Sequence, residues 1–394
     1  MDKVREKGMA RKRYTVLGGG LVGGFIARQL AGYSDAAVTL VDIDKRALNQ
    51  NAARARMDVI QADLADPTRI SALVGNADIV IGAVPGYLGH QTLASVIQAG
   101  KPCVDISFFP EDARSLDANA RNHGVPAVVD CGVMPGLGGI IAARIAARLD
   151  HAASLKIMVG GLPVERNWPF EYRAPFSPAD VLEEYTRPAR LVINGEVVTT
   201  PALSDIERID FPGLGTLEAF NTDGLRSLID TLSIPSMVEK TLRYPGHAER
   251  MQLLRDMGFF SAEPIKTGSS QASPLAISAA LLFENWRLER GMREFTVMRV
   301  EVSGQCSDKP VTYRCDLLDF TDPDTLEFSM ARTTGWPAVL TARALANGDC
   351  AVLTGRTGVI FPETLGSDGE FYDYLATGLS AAGITLNYTP ELPD

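Results

Sequence analysis

The sequence predicts an α/β protein in two parts: a doubly wound parallel sheet at the N-terminus, then a C-terminal α+β domain whose sheet is mainly antiparallel. Three observations predict it. Up to about residue 130, short apolar runs alternate with helical stretches. A glycine-rich turn joins the first run to the first helix. Beyond residue 154 the runs lengthen and hairpin signals appear.

Apolar runs at 14–17, 38–42, 57–61, 78–84, 102–106 and 127–130 read as strands. Helical stretches separate most of them: one after the first run, with Phe25, Ile26 and Leu30 on one face, and others at 67–74, 88–98 and 111–122. Strands that are apolar along their whole length, with helices between them, imply a parallel sheet covered on both faces. Right-handed crossovers make it doubly wound.

The first turn carries Gly18, Gly20 and Gly23 in GxGxxG spacing. Asp42 closes the next strand, 19 residues after Gly23. The spacing alone is weak. Its placement after a strand and before a helix, with an acidic residue at that distance, makes it the fingerprint of a Rossmann dinucleotide site. Gly18 permits the tight turn, Gly20 lets the backbone approach a pyrophosphate, and Gly23 lets helix and strand pack closely. The amides at Leu21 and Val22 open the helix, where its dipole favours an anion. Asp42 is placed to accept the adenosine ribose hydroxyls and would repel a 2′-phosphate, so NAD is expected, with NADP possible through Lys45 and Arg46. Asp63 beyond the third strand, Val84, Pro85 and Gly86 beyond the fourth, and Asp105 with Ser107 at the fifth continue this edge, where ligands of such sheets bind.

In the second half, 154–160, 295–302 and 311–320 read as strands, the last two paired antiparallel. Asn194-Gly195 between apolar runs signals a hairpin. Helices are expected at 225–232, 248–257 and 275–288, then at 331–346 with a break near Pro337, and at 371–382. The expected boundaries are 1–132 for the dinucleotide domain, 133–330 for a substrate and dimerisation domain, and 331–394 for a segment returning to the first domain.

Composition limits the partners. The 394 residues carry a net charge of −10, which disfavours nucleic acid and anionic membranes. The basic residues at 3–13 read as a solvated tail, with no signal peptide and no membrane span. Five scattered cysteines and four histidines suggest neither a disulfide framework nor a metal site. The expectation is a cytoplasmic protein that forms a homodimer and acts on a small molecule. No tyrosine has a lysine four residues on, which excludes the short-chain dehydrogenase pattern.

Eight further segments carry a resemblance: VLGGGLVG at 16–23, VDID at 41–44, VD at 104–105, CGVMPGL at 131–137, VGGLP at 159–163, LEAFNTDG at 217–224, KTLRYPGH at 240–247 and MARTT at 330–334. The chain resembles the saccharopine dehydrogenase-like family, and within it most closely the lysine 6-dehydrogenase branch. The resemblance implies NAD(P)-linked oxidation at a C–N bond of an amino acid or polyamine-type substrate, such as the lysine ε-amine. Saccharopine or carboxynorspermidine oxidation is the alternative within the family, and a non-catalytic dinucleotide sensor the alternative outside it.

Candidate residues follow. Asp105 would bind the substrate ammonium or take its proton. Arg243, in the RYPGH stretch, would clamp a carboxylate with its fork. His247, after Gly246, would move protons near neutral pH. Asn221, Thr222 and Asp223 would orient the polar groups of an amino acid. Relatives that bind saccharopine carry a basic residue where this chain has Thr222, so its absence removes one anchor for a second carboxylate. Cys131 is expected to pack rather than react.

Overall fold

A computed structural model of the chain describes residues 11–268 and 270–392. The basic side chains expected in a tail at 3–7 lie outside the described residues. The chain divides into two compact units, one of residues 1–129 with 338–360, the other of 130–337 with 361–394.

The first unit is a seven-stranded parallel sheet. Its central strand, Lys12–Leu17, lies between Ala36–Asp42 and Ile79–Gly82. Asp58–Gln61 ends one side, and Cys103–Asp105 and Pro126–Val128 continue the other. Chain order across the sheet is thus three-two-one-four-five-six, the order of a dinucleotide-binding sheet. The seventh strand, Gly358–Ile360, arrives from far along the chain and pairs in parallel with Pro126–Val128. Val16, Leu40, Val80, Ile81 and Val104 are fully buried, as strands covered on both faces require. The edge strand Asp58–Gln61 is exposed throughout. The first strand begins two residues earlier than its apolar run, because Arg13 pairs with Asp78 at 2.9 Å on the neighbouring strand's approach.

The second unit is built on a nine-stranded sheet. The strand His151–Pro163 pairs antiparallel with Glu294–Cys306, which pairs with Lys309–Phe320 in the expected hairpin. Ser307 and Asp308 both take positive φ at that turn, as a two-residue turn matched to strand twist demands. The Asn194-Gly195 hairpin forms the same way between Ala189–Ile193 and Glu196–Thr200. Two strands with no apolar signature complete the centre. Gly215–Asn221 pairs antiparallel with Ser236–Arg243, and Ser236–Arg243 runs parallel to His151–Pro163.

Helical expectations needed three adjustments. The stretch 225–232 is helical only over Leu228–Thr231, since Arg226 takes a φ of 51°. The helix Ser329–Asn347 is continuous and carries Pro337 inside it; the proline removes one rung without ending a helix buried along most of its length. The segment 331–394 is divided: 338–360 belongs to the first unit, while the helix Gly369–Ala381 and the strand Leu386–Thr389 belong to the second, where that strand pairs with Lys309–Phe320.

The turn that opens the second unit is tightly built. Gly136 has a φ of 130°, and a Cβ there would meet the Gly132 carbonyl oxygen. Just before it, Asp130 accepts a two-pronged bond from Arg226, both contacts at 3.1 Å, with the side chains 4% and 7% exposed. Removing one partner of such a pair strands a charge away from water. Asp130→Ala is therefore expected to destabilise the second unit by roughly 3–5 kcal/mol. The three tryptophans, Trp168, Trp286 and Trp336, all lie in that unit, so urea unfolding followed by tryptophan fluorescence isolates the effect. An unchanged midpoint would remove the pair from any stabilising role.

Candidate functional site

In the first unit the glycine turn has the geometry that its sequence requires. Gly18 has a φ of 104°, and any Cβ would strike the Ala83 carbonyl. A Cβ on Gly23 would strike the Gly18 carbonyl oxygen. Gly20, by contrast, is exposed, and a Cβ there would meet nothing within 4 Å. It is also the N-cap of the helix Leu21–Ala31, which receives no side-chain cap and has no acidic residue in its first turn. The amides at Leu21 and Val22 thus head a three-turn helix with open space before them. A helix head of this kind can seat a diphosphate.

Asp42 ends its strand beside this seat. One carboxylate oxygen accepts the Gly19 amide at 2.5 Å and the other accepts the Asp44 amide at 2.7 Å. The carboxylate is therefore tied to the glycine turn and remains partly open to a ribose. Lys45 and Arg46, the residues that would meet a 2′-phosphate, are exposed at the start of the next helix. Sequence reasoning missed Asn51. This buried amide donates to the Gly19 carbonyl at 3.2 Å and packs against Gly24, bracing the turn from behind.

Asp63 is exposed and caps its own turn through the Ala65 amide at 2.9 Å. Val84 is buried, Pro85 is the N-cap of the helix Gly86–Gln98, and Gly86 opens it. Asp105 is fully buried at its strand end. Its carboxylate accepts the Ser107 amide at 2.8 Å and the Ser107 hydroxyl at 3.3 Å, and lies against Gly82, where a side chain would collide with it.

In the second unit, the LEAFNTDG and KTLRYPGH stretches are hydrogen-bonded neighbours. Glu218 pairs with Arg243, Ala219 with Leu242, Phe220 with Thr241 and Asn221 with Lys240. Glu218, 4% exposed, spans the turn between them. Its two oxygens accept the Gly246 amide at 2.7 Å and the Ala248 amide at 2.6 Å, capping the helix His247–Asp256 from a neighbouring strand.

Arg243 and His247 belong to one buried chain of hydrogen bonds. The Phe170 carbonyl can only accept, so His247 Nδ1 donates to it at 2.9 Å. His247 Nε2 then accepts the Tyr185 hydroxyl at 2.9 Å. Tyr185 in turn accepts Arg243 Nε at 3.3 Å. The Arg243 guanidinium also bonds Glu184 and lies over the Tyr172 ring at 4.4 Å. Burial, then the nearby Arg243 charge, depresses the His247 imidazole to about 3. His247 is 1% exposed with both ring nitrogens engaged, so in this structure it is a neutral strut. Arg243, 2% exposed, holds a carboxylate of its own chain, Glu184, rather than one left open for a ligand. Tyr185 and Glu184 carry this arrangement, and no pattern in the sequence marks them.

The Asn221–Gly224 loop is held from beneath by Glu239. Its Oε2 accepts the Thr222 hydroxyl at 2.7 Å and the Gly224 amide at 3.0 Å, and burial raises its carboxyl to about 7. Thr222 also bonds Thr241, at 2.9 Å. Asp223 is paired with Arg190, with contacts at 2.8 and 2.9 Å. Asn221 Nδ2 donates to Ser204 at 3.3 Å, while its buried Oδ1 has no partner among the described residues. These three residues share one loop with Glu239, as their adjacency implies, but Thr222 and Asp223 are already engaged within the protein. No cluster of His, Cys, Asp or Glu suited to a metal is found among the described residues, and none of their helices is long and apolar enough to cross a membrane.

The chain can now be set beside known proteins. The family profile described as "Saccharopine dehydrogenase NADP binding domain" matches residues 14–128, and "Saccharopine dehydrogenase C-terminal domain" matches 132–384. A saccharopine dehydrogenase [NADP(+), L-glutamate-forming] of Pyricularia oryzae is 29% identical over 52% of this chain, a stretch that spans about half (48%) of that relative's length. The corresponding enzyme of Schizosaccharomyces pombe is 23% identical over 80% of this chain and 86% of its own. A solved saccharopine dehydrogenase (L-Glu forming) from Saccharomyces cerevisiae shares the fold, with a TM-score of 0.78 at 18% identity, covering 96% of this chain and 99% of that one. With profiles matching both of its units, and with the glycine turn built as a dinucleotide seat, this chain belongs to the saccharopine dehydrogenase family and carries its NAD(P)-binding domain.

Proposed function

We propose that the chain is an NAD(P)-dependent oxidoreductase that oxidises an amino acid at a C–N bond, with the ε-amine of lysine or a similar amine as its substrate. Thr222 carries the choice of substrate. Its hydroxyl is held by Glu239 and Thr241, and Arg243 is held by Glu184. Neither position offers an open cation to a second, glutamate-like carboxylate. Saccharopine oxidation, the activity named for the relatives, remains the alternative.

When bound, a nicotinamide dinucleotide accepts the hydride from the carbon that bears the nitrogen. The protein's task is to present that nitrogen neutral, since an ammonium has no lone pair to stabilise the developing iminium. Asp105 is the proposed proton acceptor. The Ser107 amide and hydroxyl fix its carboxylate at the strand end, where ligands of such sheets bind. Hydrolysis of the resulting imine releases ammonia.

The test is turnover with NAD or NADP against lysine, ornithine, saccharopine and carboxynorspermidine, read by absorbance of the reduced cofactor. Lysine oxidation with ammonia release is expected. Turnover of saccharopine alone would replace the reading by its alternative, and dinucleotide binding without any turnover would favour a sensor. Asp105→Asn is expected to lower kcat on the order of 10²–10⁴-fold while leaving the dinucleotide Kd unchanged. For the cofactor, NADH should bind more tightly than NADPH, and Asp42→Ala should narrow the gap.

Two of the buried titrating groups, His247 and Glu239, impose a pH dependence on the second unit. His247 is depressed from its usual 6.5 to about 3, so below pH 6.5 the unfolded chain binds more protons and stability falls as pH falls. Glu239 is raised from 4.5 to about 7, so above pH 4.5 the folded chain holds more protons and stability falls as pH rises through 7. Each effect is worth at most roughly 3–5 kcal/mol. His247→Gln should flatten the acid limb and Glu239→Gln the alkaline limb, in urea unfolding followed by tryptophan fluorescence between pH 4 and 8. Glu294, raised to about 8, leaves part of the alkaline limb in place. Limbs unaltered by either substitution would show that these groups titrate normally.

A further inference from the structure

A cavity of about 770 Å³ opens in the second unit, away from the residues described above and sharing none of them. Its lining comes from four places in the chain. Arg144 and Arg148 lie at the end of the helix Leu137–Ala146, and Tyr372 and Asp373 on the helix Gly369–Ala381. Asn387 and Tyr388 lie on the last strand of the sheet, and Glu391 follows it. Its volume is that of a small-molecule site.

The charges in this lining are poorly matched to one another. Arg148 forms no ion pair among the described residues, and its Nε is buried without a partner. A half-buried guanidinium with an unmet donor is costly to hold empty. Arg144 lies over the Tyr372 ring at 5.0 Å, and its one ion pair among the described residues, with Asp373 at 3.7 Å, is long. Asp373 is 73% exposed, so that pair is weak. Glu391 is exposed and likewise makes no ion pair among the described residues. The tyrosine hydroxyls of 372 and 388 bond each other and give the wall a polar, rigid face.

Two guanidiniums and two carboxylates sum to no net charge. A phosphate or a polyanion would meet Asp373 and Glu391 as well as the arginines. A ligand carrying both signs would satisfy both. We propose that this cavity is a second small-molecule site, for a zwitterionic amino acid whose carboxylate is forked by Arg148 and Arg144 and whose ammonium is taken by Glu391 and Asp373. This inference is independent of the proposed reaction, because none of these side chains belongs to its machinery.

The test is calorimetric titration of the full chain with L-norleucine, which has no side-chain amine to oxidise, alongside hexanoate and inorganic phosphate. Norleucine should bind, and Arg148→Met should weaken it at least tenfold. Glu391→Gln, at an exposed position that does not threaten folding, should weaken norleucine but not hexanoate. Dinucleotide affinity should be unchanged in both variants. Norleucine binding that neither variant alters would place the ligand elsewhere and overturn the proposal. Hexanoate or phosphate binding as tightly as norleucine would overturn the zwitterionic assignment, and no heat from norleucine at millimolar concentration would overturn the site itself.

Discussion

The second unit is organised around three charged side chains that one strand carries out of water. Ser236–Arg243 lies between two neighbours in the middle of the sheet, and Glu239, Lys240 and Arg243 are each 2% exposed. A charge at that depth is tolerated only if it is paired or neutralised. Each has its own solution. Lys240 reaches Asp205 at 2.7 Å and Glu207 at 3.1 Å. Arg243 takes Glu184 and two tyrosines. Glu239 holds its proton more tightly and accepts from Thr222 and Gly224. Apart from Asp205 and Tyr172, these partners lie on the helix Pro178–Thr186, on the strand Glu207–Phe211 and in the Asn221–Gly224 loop, so meeting the charges fixes those segments around the strand.

Alternation along the strand divides the work. Glu239, Thr241 and Arg243 point to one face, together with Phe220, which is paired opposite Thr241. On that face lie the aromatic rings of Tyr172, Tyr185, His247 and Trp286, in edge and tilted contacts between 5.3 and 6.1 Å. Lys240 and Leu242 point to the other face, toward Leu217 and Phe295. The polar chain from Arg243 to Phe170 thus runs through a cluster of rings, where low polarity strengthens each bond. That environment explains why His247 is held neutral, and why the arginine nearest to it is not a ligand site.

The first unit was legible almost element by element. Its strands are apolar along their whole length, because helices cover both faces, and that pattern survives in a single sequence. Gly18 and Gly23 could be read because the turn leaves no room for a Cβ, and Gly20 and Asp42 because their spacing from those two is that of a dinucleotide turn. What escaped were features that depend on distant chain. The seventh strand, Gly358–Ile360, is three residues long and is a strand only because Pro126–Val128 offers it an edge. Asn51 braces a turn 32 residues earlier in the chain. In the second unit, Ser236–Arg243 escaped because four of its six buried residues, Glu239, Lys240, Thr241 and Arg243, are polar, the reverse of the signal by which strands are recognised. Conversely, LEAFNTDG and KTLRYPGH drew notice without any periodicity, and the structure shows what they have in common: they are adjacent strands, tied together by Glu218 to the Gly246 and Ala248 amides and by Thr222 to Thr241.

Residue type therefore misleads in a particular way here. An arginine and a histidine in a distinctive stretch suggest a clamp and a proton carrier, since those are the uses of such groups when they face a ligand. Burial reverses the inference. Once Arg243 and His247 are enclosed, their donors and acceptors must be met by the protein itself, and the partners that meet them are Glu184, Tyr185 and a main-chain carbonyl. Groups that remain unmet are the better guide to a ligand. Asn221 Oδ1 in its loop, the open helix head at Gly20, and the Nε of Arg148, a residue that lines a cavity, are three such groups. A folded chain leaves a buried donor or acceptor without a partner at a cost of about 1–3 kcal/mol, and a bound molecule is one way in which that cost is recovered.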